Sequence, residues 1–246
     1  MTYCVGIQLN TGLVFASDSR TNAGVDNIRI HSKIHPFIRE GEVMLVLLSS
    51  GNLATSQSVV NQIKKDLKNP DAKTSLFTAE DMAEACNYVG EVNRKVQKQY
   101  DFEDQQAGFN VEATFILGGQ IRHEQPKLAL IYPQGNYLLA TEETPFFQIG
   151  ESKYGKTILD RIIEPSVSLE DAARCALVSL DSTSRSNVGV GPPFELIMYR
   201  KDSLRIDNRF KYDLDSNYYK QLRQAWAENL RAAFYSLPRF DWERHD

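Results

Sequence analysis

Long apolar runs are missing from this 246-residue sequence. No stretch approaches the ~18 apolar residues of a membrane-spanning helix, and the first residues lack a charged segment followed by an apolar one, so neither a helical span nor a secretory signal is expected. Cysteine is scarce: Cys4, Cys86 and Cys175 are 3 in all. Far apart and odd in number, they suit free thiols in a reducing cytoplasm better than a disulfide framework. Basic residues are in deficit, with 28 Lys and Arg against 32 Asp and Glu. That balance leaves no footprint for nucleic acid or an anionic membrane. Internal repeats and low-complexity tracts are absent too. What remains is 42% hydrophobic and 10% aromatic, enough for one sizeable core.

Thr2 directly follows Met1. A small second residue permits clipping of the methionine, which would leave Thr2 with a free α-amine beside its own hydroxyl. Nucleophile and base then sit in one residue, because an α-amine of pKa about 7.7 to 8.0 can take the hydroxyl proton near neutral pH. Many chains begin Met-Thr, so the dipeptide gains meaning only from the residues after it. Val5, Ile7 and Leu9 alternate with Cys4, Gly6 and Gln8, Asn10-Thr11-Gly12 is a turn, and Leu13-Val14-Phe15-Ala16 resumes the apolar pattern. This predicts a hairpin whose return brings Asp18 beside Thr2. The polar run from Ser17 to Asn22 at that strand end is what a site, rather than a plain core strand, requires.

Residues 28–37 alternate loosely around Lys33, which lies between His31 and His35. Without an HExxH pattern that spacing reads as surface or site lining, and no metal or cofactor is expected. Residues 42–50 form a continuous apolar run, the pattern of a strand buried on both faces, ending at Gly51. From Asn52 to the stop at Asn69-Pro70 the periodicity is helical. Unpaired amides at that helix start point toward Gly51 and carry the partial positive charge an oxyanion needs. Thr78-Ala79-Glu80-Asp81 predicts a capping box for a second helix from Met82 to about Tyr100. Strands are expected at 112–119, 127–132 and 136–140, helices at 154–163 and 169–182, and closing strands at 194–199 and 203–206. Strands, helix pair, strands, helix pair, strands is the order of an α+β chain folded as a four-layer αββα sandwich.

Taken together, Thr2, VGI, the turn, FASDSR and Lys33 resemble the start of a proteasome β subunit, an N-terminal nucleophile hydrolase, and the likeness runs over roughly residues 2–200. The chain is most similar to the bacterial ancestral β-subunit group, Anbu, in which the threonine follows Met1 without a propeptide and the chain continues into a charged, aromatic tail. The resemblance implies roles for individual residues. Thr2 would be the nucleophile. Asp18 keeps the family's spacing, Lys33 matches the catalytic lysine with one residue fewer, and Arg20 matches the arginine two places after the aspartate. Gly51 matches the oxyanion glycine, three residues later than usual. Peptide hydrolysis through an acyl-enzyme on Thr2 is the implied activity. Two segments depart from the pattern: Gly150-Glu151-Ser152 replaces Gly-Ser-Gly, and the stretch from Arg185 to Gly189 lacks the aspartate of Asp-x-x-Ser-Gly. In the first the supporting serine is either displaced by one, to Ser152, or replaced by Glu151, and in the second Ser186 is the candidate substitute. Thr21, Ser49 and Leu53 would line the first specificity pocket. An amidase of the same mechanistic group, or a non-catalytic shell-forming homologue, are the alternatives.

Residues 1–204 are expected to form this β-subunit-like domain, and 205–246 a helical extension packed on it or on a neighbouring subunit. After Asp215-Ser216, Tyr218, Leu222, Trp226, Leu230 and Phe234 recur at every fourth position until Pro238. With both sheets already covered by helices, that stripe predicts self-association into a homo-oligomeric ring or open spiral. A peptide or protein substrate is the other expected partner. An unfoldase is left unspecified.

Overall fold

A computed structural model describes residues 1–22, 28–100 and 110–245. The expected hairpin forms from β1 (Tyr3–Leu9) and β2 (Gly12–Asp18), with Cys4 opposite Ser17 and Leu9 opposite Gly12. A short second hairpin, β3 (Arg20–Asn22) with β4 (Ile28–Ile30), leads to β5 (Ile34–Arg39) and β6 (Val43–Gly51). Helices α1 (Leu53–Asp66) and α2 (Met82–Tyr100) follow, then β7 (Ala113–Ile121), β8 (Lys127–Ile131), β9 (Tyr137–Leu139) and β10 (Phe146–Gly150). The second helix pair is α3 (Lys153–Ile162) and α4 (Leu169–Ser186). Beyond it come β11 (Phe194–Arg200), β12 (Asn208–Tyr212) and α5 (Asn217–Tyr235).

Two antiparallel five-stranded sheets, ordered β10-β1-β2-β11-β12 and β5-β6-β7-β8-β9, stack face to face. Residue alternation in β6 shows how. Val43, Leu45 and Leu47 face α1 and α2 with Val59 and Val89, whereas Met44, Val46 and Leu48 meet Leu13 and Phe15 of the other sheet. Behind the first sheet, Val5, Ile7 and Leu196 pack on Leu159 and Leu177 of α3 and α4. A period of two along each strand thus feeds two apolar layers, and the result is the αββα sandwich.

Several local expectations change. Residues 203–206 are not a strand, because Asp202 (φ 66°) and Leu204 (φ 45°) are left-handed and Ser203 Oγ donates to the Arg200 carbonyl in a turn. The closing strand is β12, so the sandwich reaches Tyr212, past the boundary expected at 204. Residues 78–81 do not form the capping box: Thr78 pairs with Ser75, while Asp81 Oδ1 accepts from Glu84 N at 2.8 Å and Glu84 reaches back to Glu80 N at 2.9 Å.

Helix α5 is clamped at its start. Tyr219 is buried, meets Phe194 edge to face at 5.4 Å, and donates to Asp181 Oδ1 at 2.8 Å. Buried Asp181 also pairs with Arg185 and Arg223. The expected stripe is therefore not one face. Four residues turn a helix by about 400°, so a strict four-residue repeat drifts about 40° per step and its two ends face nearly opposite sides after four steps. Tyr218 is exposed, Leu222 packs on the core, and Leu230 and Phe234 return to solvent.

Candidate active site

Thr2 stands just before β1, and its backbone is held from the neighbouring strand end: Glu151 N donates to the Thr2 carbonyl at 2.8 Å. Gly150 permits this approach. Its φ is +84°, and a Cβ there would lie 1.9 Å from the Thr2 oxygen. Next along the chain, Tyr3 N donates to Asp18 Oδ1 at 2.9 Å, so the hairpin does bring the end of β2 to the threonine. Met1 is half-draped over the site, its side chain against Gly189 and its sulfur accepting from Asn187 Nδ2 at 3.5 Å.

Asp18 is fully buried and Lys33 is 5% exposed. The Lys33 ammonium donates to Asp18 Oδ1 at 2.6 Å and to the Arg20 carbonyl at 2.7 Å. The other carboxylate oxygen, Oδ2, accepts from Gly191 N at 3.4 Å. Burial pushes the Asp18 carboxyl above its ordinary pKa; the Lys33 charge and these hydrogen bonds oppose that rise. Arg20 does not reach the threonine. Its guanidinium donates to the Val188 carbonyl at 3.0 Å and lies over Gly191, so it braces the loop whose amide reaches Asp18.

Gly51 lies at the other wall. Asn52 N donates to the Glu112 carbonyl just before β7, and Ser49 N donates the opposite way, to the Lys33 carbonyl. Because antiparallel residues alternate the side to which both backbone groups point, Gly51 is in phase with Ser49 and turns its N–H away from β7. On that side β5 has already ended at Ile34, opposite Leu48. Asn52 then caps α1, accepting from Thr55 N at 3.1 Å.

A cavity of about 510 Å³ opens here, with Thr2, Lys33 and Gly51 on its wall together with Thr21, Ser49 and Leu53. The expected nucleophile, lysine, oxyanion glycine and pocket residues are thus gathered at one place. Ser152 and Ser186 are not part of that lining. Ser152 sits at the start of α3, its N–H donating to the Gly150 carbonyl and its own carbonyl accepting from Gln148. Ser186 is the exposed last residue of α4, and its neighbour Asn187, not Ser186, contacts Met1. His31 and His35 also line the cavity, and among the described residues no group of three or more His, Cys, Asp or Glu is placed to hold a metal.

Sequence reasoning missed Gly191, Gln148 and Lys64, whereas His35 was read as surface or site lining. Gly191 lies 173 positions from Asp18, and no local pattern links residues so far apart. Gln148 belongs to β10, a strand left out because its polar and apolar residues alternate over only five positions.

With the Asp18–Lys33 pair close to Thr2 and two sheets stacked between helix layers, the fold is that of an N-terminal nucleophile hydrolase. The proteasome subunit model matches residues 2–197, and the chain belongs to that family. Solved structures carry the comparison further. Anbu, the ancestral beta-subunit from Yersinia bercovieri, is 43% identical with a TM-score of 0.91, covering 97% of this chain and 98% of that one. A helical assembly of the Anbu complex from Pseudomonas aeruginosa is 42% identical with a TM-score of 0.92, covering 99% and 100%. Anbu from Hyphomicrobium sp. strain MC1 is 44% identical with a TM-score of 0.89, covering 97% and 99%. No curated protein matches. Among the described residues no helix is long and apolar enough to cross a membrane.

Proposed function

We propose that the chain is a threonine-type peptidase that hydrolyses peptide bonds through an acyl-enzyme on Thr2, after Met1 has been removed. The observation that carries this reading is the buried ion pair: Lys33, anchored at 2.6 Å to Asp18, faces the same cavity as Thr2. A buried ammonium favours the developing Thr2 alkoxide, the freed α-amine takes the hydroxyl proton, and the Gly51 N–H receives the oxyanion. Tetrahedral collapse returns that proton to the leaving amine, and water attacks the ester by the same route. Intact mass spectrometry after incubation with an epoxyketone or other hydroxyl-directed electrophile tests the reading. A chain without Met1 carrying one adduct on Thr2 is expected; an unmodified chain retaining Met1 rejects it.

The pH profile is a second expected outcome. Activity requires a neutral α-amine and an ionised Asp18. Below the amine pKa, log kcat/KM should fall with unit slope as the pH drops. Because burial raises the Asp18 pKa, the slope should steepen to two at a pH above the ordinary aspartate value of about 3.9. Asp18→Asn should lower kcat/KM across the whole range, and the residual activity should keep unit slope throughout.

Self-association is part of the proposal. Leu230, Phe234 and Trp242 are 55%, 66% and 73% exposed, and large apolar side chains left wet together on one terminal segment fit an interaction surface. The related Anbu complex from Pseudomonas aeruginosa forms a helical assembly. Leu230→Asp combined with Phe234→Asp should reduce the sedimenting species to monomers or small oligomers without lowering the melting temperature. Deletion from residue 215 is a poorer test, since it removes Tyr219 and Arg223 and leaves buried Asp181 with Arg185 alone. An unchanged large assembly in the double variant rejects the role of this surface.

A further inference from the structure

Among the described residues, the side chains lining the cavity at Thr2 include one cation without an ion pair, Lys64, and several hydrogen-bonding groups, with no carboxylate. Lys64, at the exposed end of α1, is on its wall and forms no ion pair among the described residues. Lys33 is neutralised by Asp18. Glu195, which accepts from the lining residue Ser32 Oγ at 3.1 Å, is buried and already committed to Arg209 at 3.0 Å, and lies outside the lining. His35 reports the local field. Its Nε2 is 3.4 Å from Ser49 Oγ, and burial, then the charges of Lys64 and Arg209, lower its pKa to about 4. Near neutral pH the ring is uncharged, and Gln57 and Asn61 add amide donors on the same wall. This is the chemistry that recognises an anion and repels a cation.

We propose that the cavity selects an acidic side chain, glutamate or aspartate, on the residue that supplies the scissile carbonyl, with Lys64 as the specificity-determining residue. The inference rests on the peptidase reading above. Tripeptide substrates identical except for Glu, Gln, Leu or Lys at that position test it. Exposed ion pairs contribute modestly, so the expected kcat/KM preference of Glu over Lys is about tenfold. In Lys64→Glu the order of Glu and Lys should reverse. Preference of the parent for Leu or Lys, or an order unmoved in Lys64→Glu, overturns the inference. A second arm separates it from the peptidase reading: fluorescence polarisation of the same four peptides, labelled, on the Thr2→Ala variant. Absence of turnover in the parent rejects the peptidase reading alone. Equal affinity of the four peptides rejects the selectivity, and tighter binding of the Glu peptide supports it.

Discussion

Thr2→Ala is expected to lower kcat/KM by at least about 10⁴-fold, the scale seen when a covalent nucleophile is removed. The fold should survive. Thr2 precedes the first strand, its hydrogen bond to Glu151 N uses only the backbone carbonyl, and alanine is small enough for Met1 still to be clipped. Melting temperature and sedimentation should therefore match the parent while hydrolysis disappears. Cleavage of any parent substrate at a comparable rate would remove Thr2 from the mechanism.

Lys33→Ala should lose about 10³-fold in kcat/KM and, unlike the threonine variant, should also destabilise. It leaves Asp18 buried without its counter-ion, a change that costs about 3–5 kcal/mol when one partner of a buried pair is removed. Lys33→Arg should rescue neither property, since a planar guanidinium does not fit a site measured for a compact ammonium donating at 2.6 and 2.7 Å. The double variant Asp18→Asn with Lys33→Met separates the two roles. Stability should largely return, because no unpaired charge remains, while activity should not. Wild-type rates in Lys33→Arg would reduce the pair to a structural one.

Much of this arrangement was legible from short-range pattern. The first hairpin follows from alternation on both sides of Asn10-Thr11-Gly12, and its return fixes Asp18 against Tyr3 with no knowledge of the rest of the chain. Gly51 was readable because a doubly buried strand must stop where a capped helix begins. Contacts made across the sandwich were not legible. Gly191 and Arg20 meet only because β11 lies beside β2, a pairing that no window of sequence contains. Ser152 and Ser186 were sought by likeness to motifs from which this chain departs, and neither lines the cavity. On α5 the error was one of period: a four-residue repeat looks like a stripe on paper but winds around a helix, so Tyr219, not Tyr218, is the residue seated in the core.

The three donors that converge on Asp18 come from residue 3, residue 33 and residue 191. A chain growing from its N-terminus possesses its threonine and its lysine long before it possesses that last amide and the loop that Arg20 braces. On the proposed mechanism the site would be timed by synthesis itself: a truncated or still-emerging chain would carry the proposed nucleophile without the surroundings that complete the site, and competence would arrive only when the two ends of the domain have met.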